Sequence, residues 1–232
     1  GANPSGTTTN DYGTPVNAYV TGTPFTAGNT QYVAKGWTGA GSATNGTGTN
    51  TSFTITNTTS LNWQWATNYW LAPTSMSVNG SVNVTPAFYP LGSNVTITAT
   101  SSNGYQFAGW TGSLTTNANP LTVTMFQPYP NLQANFSLTN IAITATNGPD
   151  GLIAPSGIVM VPYGTSTNFT ITPNANYHIT NLVVDGSGVG ITNNYLFSGV
   201  TNTHTISAWF GIDQYTLSVT TPFGGANPSG TT

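Results

Sequence analysis

Short runs in which apolar and polar residues alternate are the feature of this sequence that most limits its fold. They include SVNVT at residues 81–85, NVTITAT at 94–100, LTVTM at 121–125 and NFTITP at 168–173. Gly, Asn and Pro bound each run, and period-two alternation between such breakers is typical of half-buried strands. With 27 Gly and 15 Pro scattered through 232 residues, nothing in the sequence favours a helix. The sequence therefore predicts an all-β protein.

The strand patterns recur in three copies along the chain. Each copy has a Tyr or Leu followed by Gly, then a strand, a loop, an aromatic-rich strand and a closing hairpin, as in YGTPVNAYV, PLGSNVTITAT and YGTSTNFTITP. Self-similarity at a fixed spacing is the sequence signature of a repeat architecture. We therefore predict a tandem array of three small antiparallel β-sheet or sandwich modules with no helices. The expected divisions are 1–71 (module one, lacking its first strand), 72–138 (module two), 139–213 (module three) and 214–232 (the first strand and turn of the next copy of module one).

The octapeptide GANPSGTT occurs at residues 1–8 and again at residues 225–232. The identical match indicates a repeat of period 224 residues, set either by one continuous chain or by copies that join at this sequence. Ahead of the second octapeptide, YTLSVTT at residues 215–221 alternates like a strand. We expect Tyr215, Leu217 and Val219 to lie on a strand that completes module one of a neighbouring copy.

The charge content excludes several classes of partner. Only 2% of the residues are charged, namely one lysine and four aspartates, and there is no cysteine. Nucleic acid is excluded as a partner because phosphate binding draws its affinity from Lys and Arg. Membrane insertion is not expected, because no apolar run approaches the roughly 18 residues that span a bilayer. The expected partner is the protein itself, in head-to-tail copies, with surface glycans as a second candidate.

The titratable residues do not suggest catalysis. Glycosidases need two facing carboxyl groups, whereas this sequence has only four aspartates, far apart along the chain, and no Glu. His178 and His204 both fall in alternating strand patterns, where a strand-face histidine bonded to a neighbour is the simplest interpretation. We expect no enzyme activity, no cofactor and no metal site, and leave open a single Ca²⁺ held mainly by backbone carbonyls.

Two further groups of residues stand out. Aromatic residues at equivalent strand positions of the repeat are predicted to form the cores: Trp37, Phe107, Trp110, Phe136, Tyr177 and Phe210. Three Asn-x-Ser/Thr sequences are candidate glycosylation sites: Asn45, Asn50 and Asn57. Trp63 and Trp65 alternate on one strand, where they either pack inside the protein or offer a platform for sugars.

The middle and last copies carry motifs of a known family. The middle copy contains GYQFAGWTG at residues 104–112 and ANF at 134–136, and the last contains YHIT at 177–180 and THTISAWF at 203–210. These motifs resemble the divergent internalin-type B-repeat of bacterial surface proteins, and the first copy resembles a further variant. The resemblance implies a secreted or surface-exposed β-rich repeat, used as a stalk or an adhesive array, with no chemistry of its own.

These observations together favour a structural role outside the cell. We expect a repeat unit of an extracellular bacterial fibre or surface stalk, which is tandemly repeated or self-assembles into a filament. The alternative is an adhesin or a carbohydrate-binding stalk module. Either function predicts an extracellular or cell-surface location.

Overall fold

The computed structural model describes residues 1–76 and 78–220. These residues form 22 strands and no helix, which confirms the all-β prediction. The chain divides into two compact units, Gly1–Ser137 and Leu138–Thr232. Residue 77 and residues 221–232 lie outside the described part of the chain. The second GANPSGTT, at 225–232, is therefore not described.

The first half of unit 1 is built around two long strands. Its strands are β1 (Ala2–Asn3), β2 (Pro15–Val20), β3 (Phe25–Ala27), β4 (Thr30–Ala40), β5 (Gly46–Thr47), β6 (Asn50–Thr54) and β7 (Ser60–Ser75). β1, β2 and β6 form a three-stranded sheet. β4 pairs antiparallel with β7 from Thr30 opposite Tyr69 to Ala40 opposite Ser60, with a bulge near Lys35.

The second half of unit 1 continues from the same long strand. Its strands are β8 (Gly80–Val82), β9 (Ala87–Pro90), β10 (Asn94–Ile97), β11 (Ala99–Ser101), β12 (Tyr105–Gly112), β13 (Leu121–Thr124) and β14 (Tyr129–Leu138). β9 pairs antiparallel with β7, and β14 pairs parallel with β7 over Leu71–Ser75. β7 thus runs through the boundary placed at residue 71, and the module divisions themselves stay predictions.

Unit 2 consists of two sheets. Its strands are β15 (Asn140–Asn147), β16 (Gly151–Ala154), β17 (Gly157–Pro162), β18 (Thr167–Pro173), β19 (Tyr177–Val184), β20 (Ser187–Gly188), β21 (Asn194–Phe197) and β22 (His204–Ile212). The order β17-β15-β22-β19-β20 makes one sheet and β16-β18-β21 the other. β15 and β22 run parallel, so this sheet is mixed, as is the large sheet of unit 1.

The cores lie on the inward face of the alternating strands. In unit 2, Phe169, Ile171 and Ile206 are buried completely or almost completely, and in unit 1 Leu71 and Trp110 are. Each core comes from residues two apart on a strand, because alternate side chains point to the same face of a sheet. The apolar positions of the sequence pattern therefore fill the cores.

The structure places the six expected core aromatics in two groups. Trp37 and Trp110 are buried, and each indole Nε1 donates to a backbone carbonyl, that of Thr44 or Ala118. The four half-buried rings are those of Phe107, Phe136, Tyr177 and Phe210. Two of these, Phe136 and Phe210, lie at strand positions where a glycine provides the space for the ring.

Candidate functional site

Both histidines form pairs with aspartates in unit 2. His178 Nδ1 lies 2.9 Å from Asp213 Oδ1, and His204 Nδ1 lies 2.7 Å from Asp185 Oδ2. The other oxygen of Asp185 accepts a hydrogen bond from the Thr205 backbone N–H at 2.8 Å. Asp185 is the acid nearest to His178 in sequence, but the antiparallel pairing of β19 with β22 brings it to His204 instead.

The environment of Asp185 favours its ionised form. The hydrogen bond with His204 is the main cause that lowers the pKa of this carboxyl, and the bond from the Thr205 N–H adds to it. Slight burial of the carboxyl raises its pKa and so opposes these two hydrogen bonds. In the described hydrogen bonds, neither histidine Nε2 has a partner. Each pair therefore ties a strand end to a turn, which is a structural use of the His–Asp contact.

Acidification should weaken unit 2 through Asp185. Because the folded-state pKa is depressed, the stabilisation is complete above the unfolded-state pKa of about 3.9 and is lost as the pH falls through the folded-state value. We expect Asp185→Asn to lower the melting temperature near neutral pH and to flatten its fall below about pH 4. Asn also tolerates the φ of 50° at this position.

Thermal melts followed by circular dichroism at several pH values test this expectation. The control is Asp11→Asn, because Asp11 is exposed and its carboxyl makes no side-chain hydrogen bond in the described part of the chain. The role assigned to Asp185 is wrong if its variant and the control lose stability in parallel on acidification.

A second candidate site is an open cleft of about 890 Å³ in the first half of unit 1. One wall is the sheet of β2 and β6, which contributes Val16 and Phe53. Another is the edge of β7, with Leu61 and Trp63, and residues 4–10 border the remainder. The lining is apolar on the side of the sheet and rich in hydroxyl and amide groups along residues 4–10.

The cleft borders a strand edge that has no neighbour. Between Ser60 and Gln64, β7 pairs with β4 on one side. No strand of the described ranges pairs with these residues on the other side. Their backbone N–H and C=O groups on that side are therefore available to an added strand, since buried or edge groups of this kind seek partners.

The segment after β22 has the opposite property, because it is strand-like in sequence but unpaired. Residues 214–220 belong to no strand. The side chains of Tyr215 and Leu217 are 84% and 85% exposed, and Val219 is 54% exposed. These are the three residues that the sequence predicts on an inter-copy strand, and whether they join another copy stays a prediction.

The remaining candidates lie on the surface of unit 1. Asn45, Asn50 and Asn57 are exposed. The Asn45 and Asn57 side-chain oxygens accept hydrogen bonds from Gly39 N and Ser42 Oγ, which hold two of these loops in place. In the part of the chain that the structure describes, no group of three or more potential metal ligands occurs and no helix could cross a membrane.

The fold defines a class: an all-β tandem-repeat protein. The family model for the divergent InlB B-repeat domain matches residues 73–140 and 141–214, more than half of the chain. The chain therefore belongs to this family, as its motifs predict, and it is made of repeat modules of a type that occurs in bacterial surface proteins. No curated protein matches it, and no solved structure does.

Proposed function

We propose that this chain is the structural repeat unit of an extracellular bacterial fibre or surface stalk, without enzymatic activity. In this role, copies follow one another with a period of 224 residues, the spacing of the two GANPSGTT sequences. The unit contributes length and stiffness to the fibre, and its location is the cell surface or the medium.

The junction between modules is the observation that carries this proposal. β7 is continuous through Ser75, so it serves the first half of unit 1 and then the second. In a repeat array, stability is the sum of each module and its nearest-neighbour contacts. A strand shared by two successive modules suits a load-bearing rod.

The near absence of charge supports association between copies. Charged side chains, above all lysines, normally protect sheet edges from pairing with other molecules. Here Lys35 is the sole lysine of the sequence, and there is no arginine or glutamate. A surface hydrated mainly by Thr, Asn and Ser repels other copies little, and it responds weakly to salt.

Electron microscopy tests the proposal in two arms. The first is the purified chain at rising concentration, and the second is a two-copy chain fused through one shared GANPSGTT. We expect filaments or, in the second arm, rods whose repeat corresponds to one 224-residue unit. Isolated single units in the first arm and a jointed, flexible pair in the second would contradict the proposal. Selective binding on a glycan array would then favour the carbohydrate-binding stalk.

A further inference from the structure

We propose that the open cleft of unit 1 receives residues 215–220 of another copy of this chain, which add a strand to the edge of β7. This inference rests on the proposed function and names the contact that joins the copies. It is carried by the internal repeat, which shows what occupies the same position elsewhere in the chain.

The same strand position is filled in the other two modules. In unit 2, β15 lies between β17, to which it is antiparallel, and β22, to which it is parallel. In the second half of unit 1, residues 71–75 of β7 run parallel to β14, and residues 68–71 of β7 pair antiparallel with β9, so the two neighbours meet at Leu71. The first half of unit 1 has a segment equivalent to each of the two neighbours of this strand. Its described residues include no strand between those two segments.

The bulges in the sheets align the first half of unit 1 with unit 2 residue by residue. A bulge precedes Trp37 in β4 and Leu182 in β19, and these residues lie opposite Trp63 and Ala208. Trp63 therefore corresponds to Ala208, and Leu61, two residues earlier, corresponds to Ile206. Equivalent core positions two residues apart on a strand share one face of the sheet.

The burial of these positions differs between the two modules. Ile206 and Ala208 are completely buried beside β15, the neighbouring strand of the same sheet, whereas Leu61 and Trp63, which have no such neighbour among the described residues, are half-buried. Trp65 is 41% exposed. At the position of Trp65, Phe210 of unit 2 lies against Gly151, just after the turn that follows β15. Leu61 and Trp63, whose counterparts are buried in unit 2, thus face the cleft.

The occupant follows from the order of strands along the chain. In each filled module, the covering strand comes directly after the last strand of the preceding module. Leu71 and Ile143 are inward residues of these two strands, and both are 0% exposed. Leu217 is the next residue of this series, at nearly the same spacing, and it packs against no module within the described residues. The unpaired segment at 214–220 therefore matches the unpaired edge of β7.

The chemistry of both partners permits the contact. Neither residues 60–75 nor residues 214–220 include a charged side chain. Strand addition is a recurring binding mode in which main-chain hydrogen bonds give affinity and alternate side chains fill pockets. Leu217 and Val219 supply the apolar side chains, and the cleft of about 890 Å³ supplies the space.

The repeat also fixes the register of the added strand. Ala145 lies opposite Ile206 on one side and Gly157 on the other. The sequence APSG at 154–157 matches NPSG at 3–6, so Gly6 corresponds to Gly157. With Val219 in the place of Ala145, Val219 lies between Leu61, on the parallel strand, and Gly6. One residue earlier, Ser218 lies opposite Ser60, as Thr144 lies opposite Thr205.

Engineered disulfides test this register, because the chain contains no cysteine of its own. Mild oxidation of Ser60→Cys/Ser218→Cys should give a ladder of dimers and higher oligomers on a non-reducing gel, and a reductant should collapse it. The control is Gln64→Cys/Ser218→Cys, whose cysteines would be four residues out of register and too far apart to bridge. No ladder, or equal ladders from both pairs, would overturn the inference.

A third substitution separates strand addition from random collision. Leu217→Asp in the Ser60→Cys/Ser218→Cys background should abolish the ladder without changing the melting temperature, because Leu217 is exposed in the single chain. Leu217→Ile should retain the ladder. A disulfide formed within one molecule, seen as a shifted monomer band, would overturn donation to another copy.

The outcomes distinguish this inference from the proposed function. Filaments in the microscope without the disulfide ladder would leave the fibre function standing and refute the strand exchange. A ladder without filaments would support the strand exchange and count against the fibre. If both are absent, both fail.

Discussion

Replacing Trp110 with alanine should lower the free energy of unfolding of unit 1 by about 3–5 kcal/mol, the usual loss for a buried large aromatic. Trp110 is 1% exposed, and its ring lies 5.6 Å from that of Phe107. Its Nε1 donates to the Ala118 carbonyl at 2.9 Å, so the substitution also leaves that oxygen without its partner. Since whole domains are stable by only about 5–15 kcal/mol, much of unit 1 should unfold under mild conditions.

Urea titration combined with hydrogen exchange measures this loss, because exchange reports on each unit separately. The matched control is Trp209→Ala in unit 2. Trp209 is 44% exposed, so we expect its loss to cost less than about 1 kcal/mol. Similar urea midpoints for Trp110→Ala and the parent chain would show that Trp110 does not anchor the core.

The sequence predicts the strands well because alternation is a local property. The run NFTITP, for example, coincides with β18, and its two inward residues Phe169 and Ile171 are buried. The direction of pairing is different, because it depends on contacts between distant parts of the chain. Alternation is the same for parallel and antiparallel neighbours, so the expectation of antiparallel sheets did not include the parallel pairs of β7 with β14 and β15 with β22.

The two histidine–aspartate pairs also depend on contacts between distant parts of the chain, which the sequence does not reveal. Asp213 is 35 residues from His178 in sequence, and Asp185 is 19 residues from His204. Only the register of β19 against β22 brings them together, and that register includes a bulge between Ile179 and Asn181. The distance in sequence between a histidine and an acid therefore does not identify these pairs.

The open cleft could be predicted from the sequence only in part. The repeat predicts from sequence that module one lacks its first strand, because each other copy has an extra strand pattern ahead of its turn. The cavity beside Leu61 and Trp63 was beyond sequence reasoning, since it depends on which side chains remain uncovered once the sheets form. For module two that pattern is MSVNG at 76–80, but residues 76, 78 and 79 belong to no strand, and the strand at this place is the continuation of β7 through Ser75.

Gly112→Ala should destabilise unit 1 by at least about 3 kcal/mol, because glycine is required at the last position of the GWTG motif for two independent reasons. Its φ is 95°, a conformation that side chains of L-residues rarely adopt. A Cβ atom there would also overlap the carbonyl oxygen of Asn131 on the neighbouring strand. That carbonyl cannot easily move, since it accepts a hydrogen bond from Ser113 N at 3.0 Å.

Gly92→Ala in the same unit separates the two reasons. Gly92 has a φ of 80°, but a Cβ there would meet nothing closer than a ring carbon of Phe126 at 3.9 Å. We expect Gly92→Ala to cost only the conformational penalty of about 1–2 kcal/mol. The difference between the two variants in urea midpoint then measures the collision with Asn131. Equal midpoints would mean that β12 and β14 lie further apart at this point than the hydrogen bond to Ser113 requires.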